Sequence, residues 1–172
     1  MEAEITEQKE LTRSEKISLS TTEIARRIRE KLKEEFKNCQ FSSRTEYYSC
    51  GSSISVYLMK ATGVKIVKDF SEIPQEAIAR LSVNNYTEEN VKALQMQSNH
   101  QLNRYTLTRE YNPLEWCNGV FLTEEGHNIL KRVVEIADEY NYDESDIQTD
   151  YYSVNFSFDI SIGKWDKDFI QL

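Results

Sequence analysis

The densest set of side chains able to do chemistry comes late in the chain, where Asp138, Glu139, Asp143, Glu144, Asp146 and Asp150 are set among Tyr140, Tyr142, Tyr151 and Tyr152. Carboxylates at this density suit a calcium loop, an acid/base pair or an acidic docking surface. A calcium loop needs regularly spaced oxygen ligands and a glycine at its turn, and Tyr142-Asp143-Glu144-Ser145-Asp146 offers neither. Acid/base work needs two carboxyls brought together in space, which no spacing in this segment establishes. Two readings stand: a loop capped by its own side chains, and an acidic recognition patch able to imitate phosphates.

Other reactive types are sparse. His100 and His127 are the only imidazoles, and neither has the second histidine and glutamate of a zinc-protease helix. Cys39, Cys50 and Cys117 are odd in number and form no C-x-x-C pair, which predicts free thiols in a reducing compartment. A Cys–His pair would require Cys50 or Cys117 to meet a histidine in the fold, and nothing in their context points to that. Gly51-Ser52-Ser53 lacks the lysine and following helix of a phosphate loop and reads as a turn. No catalytic residue, metal ligand or cofactor site is therefore expected, and the expectation leans away from an enzyme.

The basic residues support a different idea. Arg26 and Arg29 on the first helix, and Arg44 and Tyr48 with Tyr57 and Lys60 on a following hairpin, would suit the bases and phosphates of a single strand. The competing readings are a solvated helix face and ordinary cross-strand pairing. Charge favours those, since 21 Lys and Arg against 29 Asp and Glu give a net −8. Such a field repels polyanions and attracts a basic partner, which can itself be a nucleic-acid-binding protein. Neither a signal peptide nor a run of about 20 apolar residues is present, which predicts a cytoplasmic protein with no membrane partner.

These groups must be held by one α+β domain of residues 17–172, preceded by a flexible polar segment, residues 1–16. Ser20 and Glu23 form a capping box, and Ile24, Ile28, Leu32 and Phe36 then recur every four residues along an amphipathic helix. Alternation from Phe41 to Tyr48 and from Ile54 to Met59, around Ser49-Cys50-Gly51-Ser52, predicts a hairpin. The run 64–67 reads as a short strand or an extended connection. Central helices are expected after Ser71, with Ile73, Ala77, Ile78 and Leu81 inward, and after Thr87, with Val91, Leu94 and Met96 inward. Residues 105–109 alternate briefly. Thr123 opens the longest helix, with Ile129, Leu130, Val133, Val134, Ala137 and Tyr140 as its stripe. Strict alternation over residues 152–162 predicts a half-buried antiparallel strand whose polar side, with Asn155 and Asp159, faces water or a partner. The whole reads as a small, mainly antiparallel sheet with helices packed on one face.

Two blocks carry a resemblance. Residues 20–37 with 41–58, including Phe41-Ser42-Ser43-Arg44 and the Gly-Ser-Ser hairpin, resemble the large polyvalent protein-associated domain twenty-nine family of phage and mobile-element proteins. Residues 140–170 resemble its closing loop, strand and Gly163-Lys164-Trp165-Asp166 tail, although a proline is more typical before the final aromatic. The resemblance implies an accessory role and assigns no catalytic residue. Together with the charge it leads to a protein that binds a basic host or element-encoded partner, such as a restriction or CRISPR component, in a bacterial or archaeal cell. The expected contact set is Asp143, Glu144, Asp146, Asp150, Tyr142, Tyr151, Asn155 and Asp159. The alternative is a nucleic-acid module built on Arg26, Arg29, Arg44 and Tyr48.

Overall fold

Ser20 begins the first long helix as its spacing from Glu23 predicts: its side chain accepts from the Glu23 N–H, and the helix runs Thr21–Glu35. The structure, a computed structural model, describes residues 11–143 and 153–172. Among these, order begins earlier than the polar composition suggests. A short helix α1 (Arg13–Ser18) is opened by a capping box in which Thr12 and Glu15 satisfy each other's backbone donors. The helix Thr21–Glu35 is α2, and it buries Ile24, Ala25, Ile28 and Leu32.

The hairpin follows as β1 (Cys39–Tyr48) and β2 (Gly51–Ala61), antiparallel and in register from Cys39↔Ala61 to Tyr48↔Gly51, with one irregularity at Gln40/Phe41. The run 64–67 is an extended connection whose Val67 bridges Leu122. A 3₁₀ turn (Phe70–Glu72) leads to α3 (Gln75–Ser82), and Thr87 caps α4 (Glu88–Gln95) through a capping box with Asn90. Ile73, Ala77, Ile78, Val91 and Phe121 form a small second core there. Met96 lies outside it, exposed at the C-cap of α4, because five residues of helix turn it about 140° away from the inward Val91.

The middle holds two elements that leave no clear signal in the sequence. Where residues 105–109 alternate briefly, the Asn103 side chain accepts from the Tyr105 N–H and starts a single helical turn, α5 (Arg104–Leu107). Just before it lies a short strand, β3 (His100–Gln101), too brief to leave a periodic signal. The long helix α6 (Glu124–Asp138) is capped by Thr123, as expected, and buries Leu130, Val133, Val134, Ile136 and Ala137. Thr123 also donates to the Lys65 carbonyl, fixing the helix start to the connection after β2.

The strand predicted over 152–162 is ordered as β4 (Ser157–Ile162), and β5 (Ile170–Gln171) follows. Tyr152 lies outside the described residues. The sheet order is β1-β2-β4-β3, with β5 also on β2. The expected antiparallel neighbour of β4 is only the two-residue β3; its long partner is β2, and that pairing is parallel, from Ser53↔Ser157 to Leu58↔Ile162. Alternation reports which side a residue faces and carries no information on neighbour direction, so a polar outer face did not betray the parallel pair. The fold is α+β, a mixed five-stranded sheet with helices on one side.

Periodicity sorts the two faces. Ile54, Val56 and Leu58 on β2 and Phe158, Ile160 and Ile162 on β4 are buried together with the α2 and α6 stripes. Each such side chain contributes about 1.5–3 kcal/mol on burial. Gly126 in the first turn of α6 sets how closely that helix approaches: a Cβ there would lie 2.3 Å from the Ile66 carbonyl oxygen. Helix propensity alone predicts that Gly126→Ala stabilises by about 1 kcal/mol. The contact instead predicts destabilisation of about 1–3 kcal/mol by overpacking, measured by urea unfolding; a stabilised variant would contradict this packing.

Candidate functional site

The outer face of the sheet is the one the helices leave uncovered. On β2 it carries Ser53, Ser55, Tyr57 and Met59, and on β4 Ser157, Asp159 and Ser161, all partly or fully exposed. Their β1 neighbours by register are Ser42, Arg44 and Glu46. At the end of β4, Gly163 takes a left-handed backbone (φ 67°) and packs so closely on the Ser98 carbonyl that a Cβ would come within 2.5 Å. That turn projects Lys164 and Trp165 beside the sheet. Lys164 Nζ donates to Ser42 Oγ at 2.9 Å and sits 4.9 Å from the Tyr57 ring centroid. Trp165 is 88% exposed at the rim of this face. A cavity of about 300 Å³ lies between Tyr57, Gln101, Asp159 and Trp165.

Asp159 also borders a second and larger cavity, of about 670 Å³, on the other side of the β4 edge. Its walls are α5 with Arg104 and Tyr105, the end of α6 with Asp138, and Asn141, Tyr142 and Asp143 against Val154, Phe156 and Phe158. This cavity exists because β3 ends at Gln101. One more backbone bond, Leu102 N–H to the Ile160 carbonyl, extends the pairing, and the Ser157 end of β4 has no strand on that side among the described residues. Arg104 occupies the gap. Its guanidinium pairs with Asp138 at 2.7 Å and lies near the rings of Tyr105 and Phe158. Arg104 Nε is buried without a hydrogen-bond partner among the described residues.

The expected contact residues separate on this geometry. Tyr142, Asp143 and Asp159 come together around the large cavity, with Asp159 exposed. Asn155 is engaged elsewhere: its side-chain amide donates to the Tyr140 carbonyl at 2.9 Å and reaches the Lys16 carbonyl. Glu144, Asp146, Asp150 and Tyr151 lie outside the described residues. Neither Arg104 nor Trp165 stands out in the sequence as a contact residue, and Trp165 figures there only within the Gly163-Lys164-Trp165-Asp166 tail. Arg104 sits in a segment with no periodicity, and only the type and polar surroundings of Trp165 could have singled it out.

The alternative set is not brought together. Arg26 lies on the exposed side of α2, bonded to Glu23 and Glu30, and its bond with that of Arg27 holds the Glu23 carboxyl down at about 2. Arg29 is on the same helix. Arg44 and Tyr48 belong to β1, where Arg44 pairs with Glu46 and the Tyr48 hydroxyl donates to the Ser52 carbonyl.

No group of three metal-binding side chains is found among the described residues, and no helix there is long and apolar enough to cross a membrane. His100 is buried, its Nε2 3.0 Å from the Gln97 carbonyl, and burial lowers its pKa. His127 is buried beside Tyr111, and neither ring nitrogen has a hydrogen-bond partner among the described residues. Neither bonds to a cysteine. Burial raises the Cys39 thiol and pushes Cys117 up to about 11, whereas Cys50 is exposed on the hairpin turn. At pH 8 a thiol reagent should therefore titrate one fast group, Cys50, and reach the other two only in denaturant. Fast reaction of Cys117 would contradict its burial.

Among known families, the sequence profile of large polyvalent protein associated domain 29 matches residues 19–112, more than half of the chain. The match takes in the first block of resemblance and the central helices, and ends before the closing block 140–170. Its description places the chain among phage- and mobile-element-associated domains. Comparison with curated proteins gives no match. Comparison with solved structures gives none either.

Proposed function

We propose that this chain, which belongs to the large polyvalent protein associated domain 29 family, is a non-enzymatic accessory protein that binds a basic protein through the surface on both sides of Asp159. The observation that carries this is the position of Asp159: one exposed carboxylate borders both the cavity beside Trp165 and the cavity of Tyr142 and Asp143. The two cations nearby are already engaged, Arg104 by Asp138 and Lys164 by Ser42 and Tyr57. The surface offers the Asp143 and Asp159 carboxylates, beside the Lys164 ammonium, within a chain of net −8, with an aromatic anchor at its rim. An extended segment of the partner could also add to β4 where β3 stops.

A basic partner encoded by the host would often be one that handles nucleic acid, and the phage association makes a restriction or CRISPR component the fitting target. The immobilised protein should retain a basic host protein at about 0.05 M salt and release it by about 0.5 M. Asp143→Asn with Asp159→Asn, or Trp165→Ala alone, should each lower retention about tenfold, roughly 1.4 kcal/mol. Retention insensitive to salt and to all three substitutions would overturn the site. Separately, a host expressing the chain should admit a phage that its restriction or CRISPR system excludes; unchanged plating would remove the defence target and leave the binding surface to be judged by retention.

A further inference from the structure

Arg29, Lys33 and Lys37 recur every four residues, the first two on α2 about 6 Å apart along the helical rise and Lys37 just past the C-cap Phe36. All three are exposed and line one groove of about 470 Å³ whose wall contains no carboxylate. None of them forms an ion pair among the described residues, while Arg26, Arg27, Lys31 and Arg132 on and beside α2 all do. Three unneutralised cations facing one groove are unusual in a chain with eight excess negative charges.

The rest of the wall is aromatic. Phe36 and Phe41 lie with ring centroids 5.9 Å apart and planes tilted by 52°, both half-buried, so that each keeps an accessible part in the groove. Gln40, exposed beside them, carries a donor and an acceptor. A row of cations next to aromatic rings and an amide is the composition of a groove that tracks phosphates and stacks bases.

We infer that this groove binds single-stranded nucleic acid, with phosphates on Arg29, Lys33 and Lys37 and a base against Phe36 and Phe41. Its volume falls within that of small-ligand clefts and suits a nucleotide or two, and has no room for a duplex. An acidic peptide would satisfy the cations and leave the aromatic wall unused. The site is independent of the surface around Asp159: α2 covers the inner face of the sheet, and Asp159 stands on the outer one. The acidic remainder of the chain makes the binding weak and steeply dependent on salt.

Anisotropy of a labelled oligothymidylate, titrated with the full chain at several salt concentrations, tests this. Binding should saturate at low salt, and log K should fall against log salt with a slope of about −2, the value for three single-strand phosphates. Lys33→Ala and Lys37→Ala should each flatten the slope by about 0.7. Phe41→Leu should weaken binding at every salt concentration with the slope unchanged. The lysines are exposed, so these variants keep the fold, which far-ultraviolet circular dichroism checks. No anisotropy change at the lowest salt would overturn the inference. So would binding that survives replacement of all three cations by Ala, or displacement of the oligonucleotide by polyglutamate of equal charge as readily as by unlabelled oligothymidylate.

Discussion

The parallel pairing of β2 with β4 is the constraint on which the rest of the molecule hangs. It places Ile54 beside Phe158, Val56 beside Ile160 and Leu58 beside Ile162, six buried side chains in the floor of the core. A parallel pair cannot be joined by a tight turn, so everything from residue 62 to 156 has to cross from the end of one strand to the start of the other. That crossing contains α3 to α6, and α6 with α2 covers the inner face. The same register sends Ser55, Tyr57, Asp159 and Ser161 to the other side. The polar outer face is thus a direct result of the pairing that builds the core.

How the β4 edge ends follows from the same arrangement. β3 is brought in only by the loop after α4, and Asn103 turns the chain into α5 immediately after it. Among the described residues the edge of β4 is thereby left partly uncovered, with Arg104 held in the gap by Asp138. Gly163 ends the strand at the other end with a backbone that no other residue adopts as readily, and delivers Trp165 to the outer face. Two local turn chemistries therefore define the surface that we assign to partner binding.

Much of this was legible in the residues. Ser20, Thr87 and Thr123 announced their helices, since capping is a local interaction that needs only a few neighbours. The period-2 runs of β2 and β4 announced strands and their inward sides. What the sequence could not carry was non-local: the direction of the β2–β4 pairing and the two-residue strands β3 and β5. The turn at Arg104 is local, started by the Asn103 side chain, and too short to leave a period. The contact residues divided the same way. Asp143 and Asp159, 16 positions apart, were singled out for charge and meet around one cavity. Asn155 was singled out for its place on a polar side, and its amide is consumed by the Tyr140 carbonyl.

The central claim is that a partner protein covers the surface on both sides of Asp159. Backbone hydrogen exchange of the chain, alone and in complex with the basic protein it retains, tests this most directly. Binding at the proposed surface predicts slower exchange at residues 53–57, 101–105, 141–143 and 157–165, with residues 24–35 of α2 unchanged. Slowed exchange confined to α2, with β4 and the Trp165 turn unaffected, would contradict it.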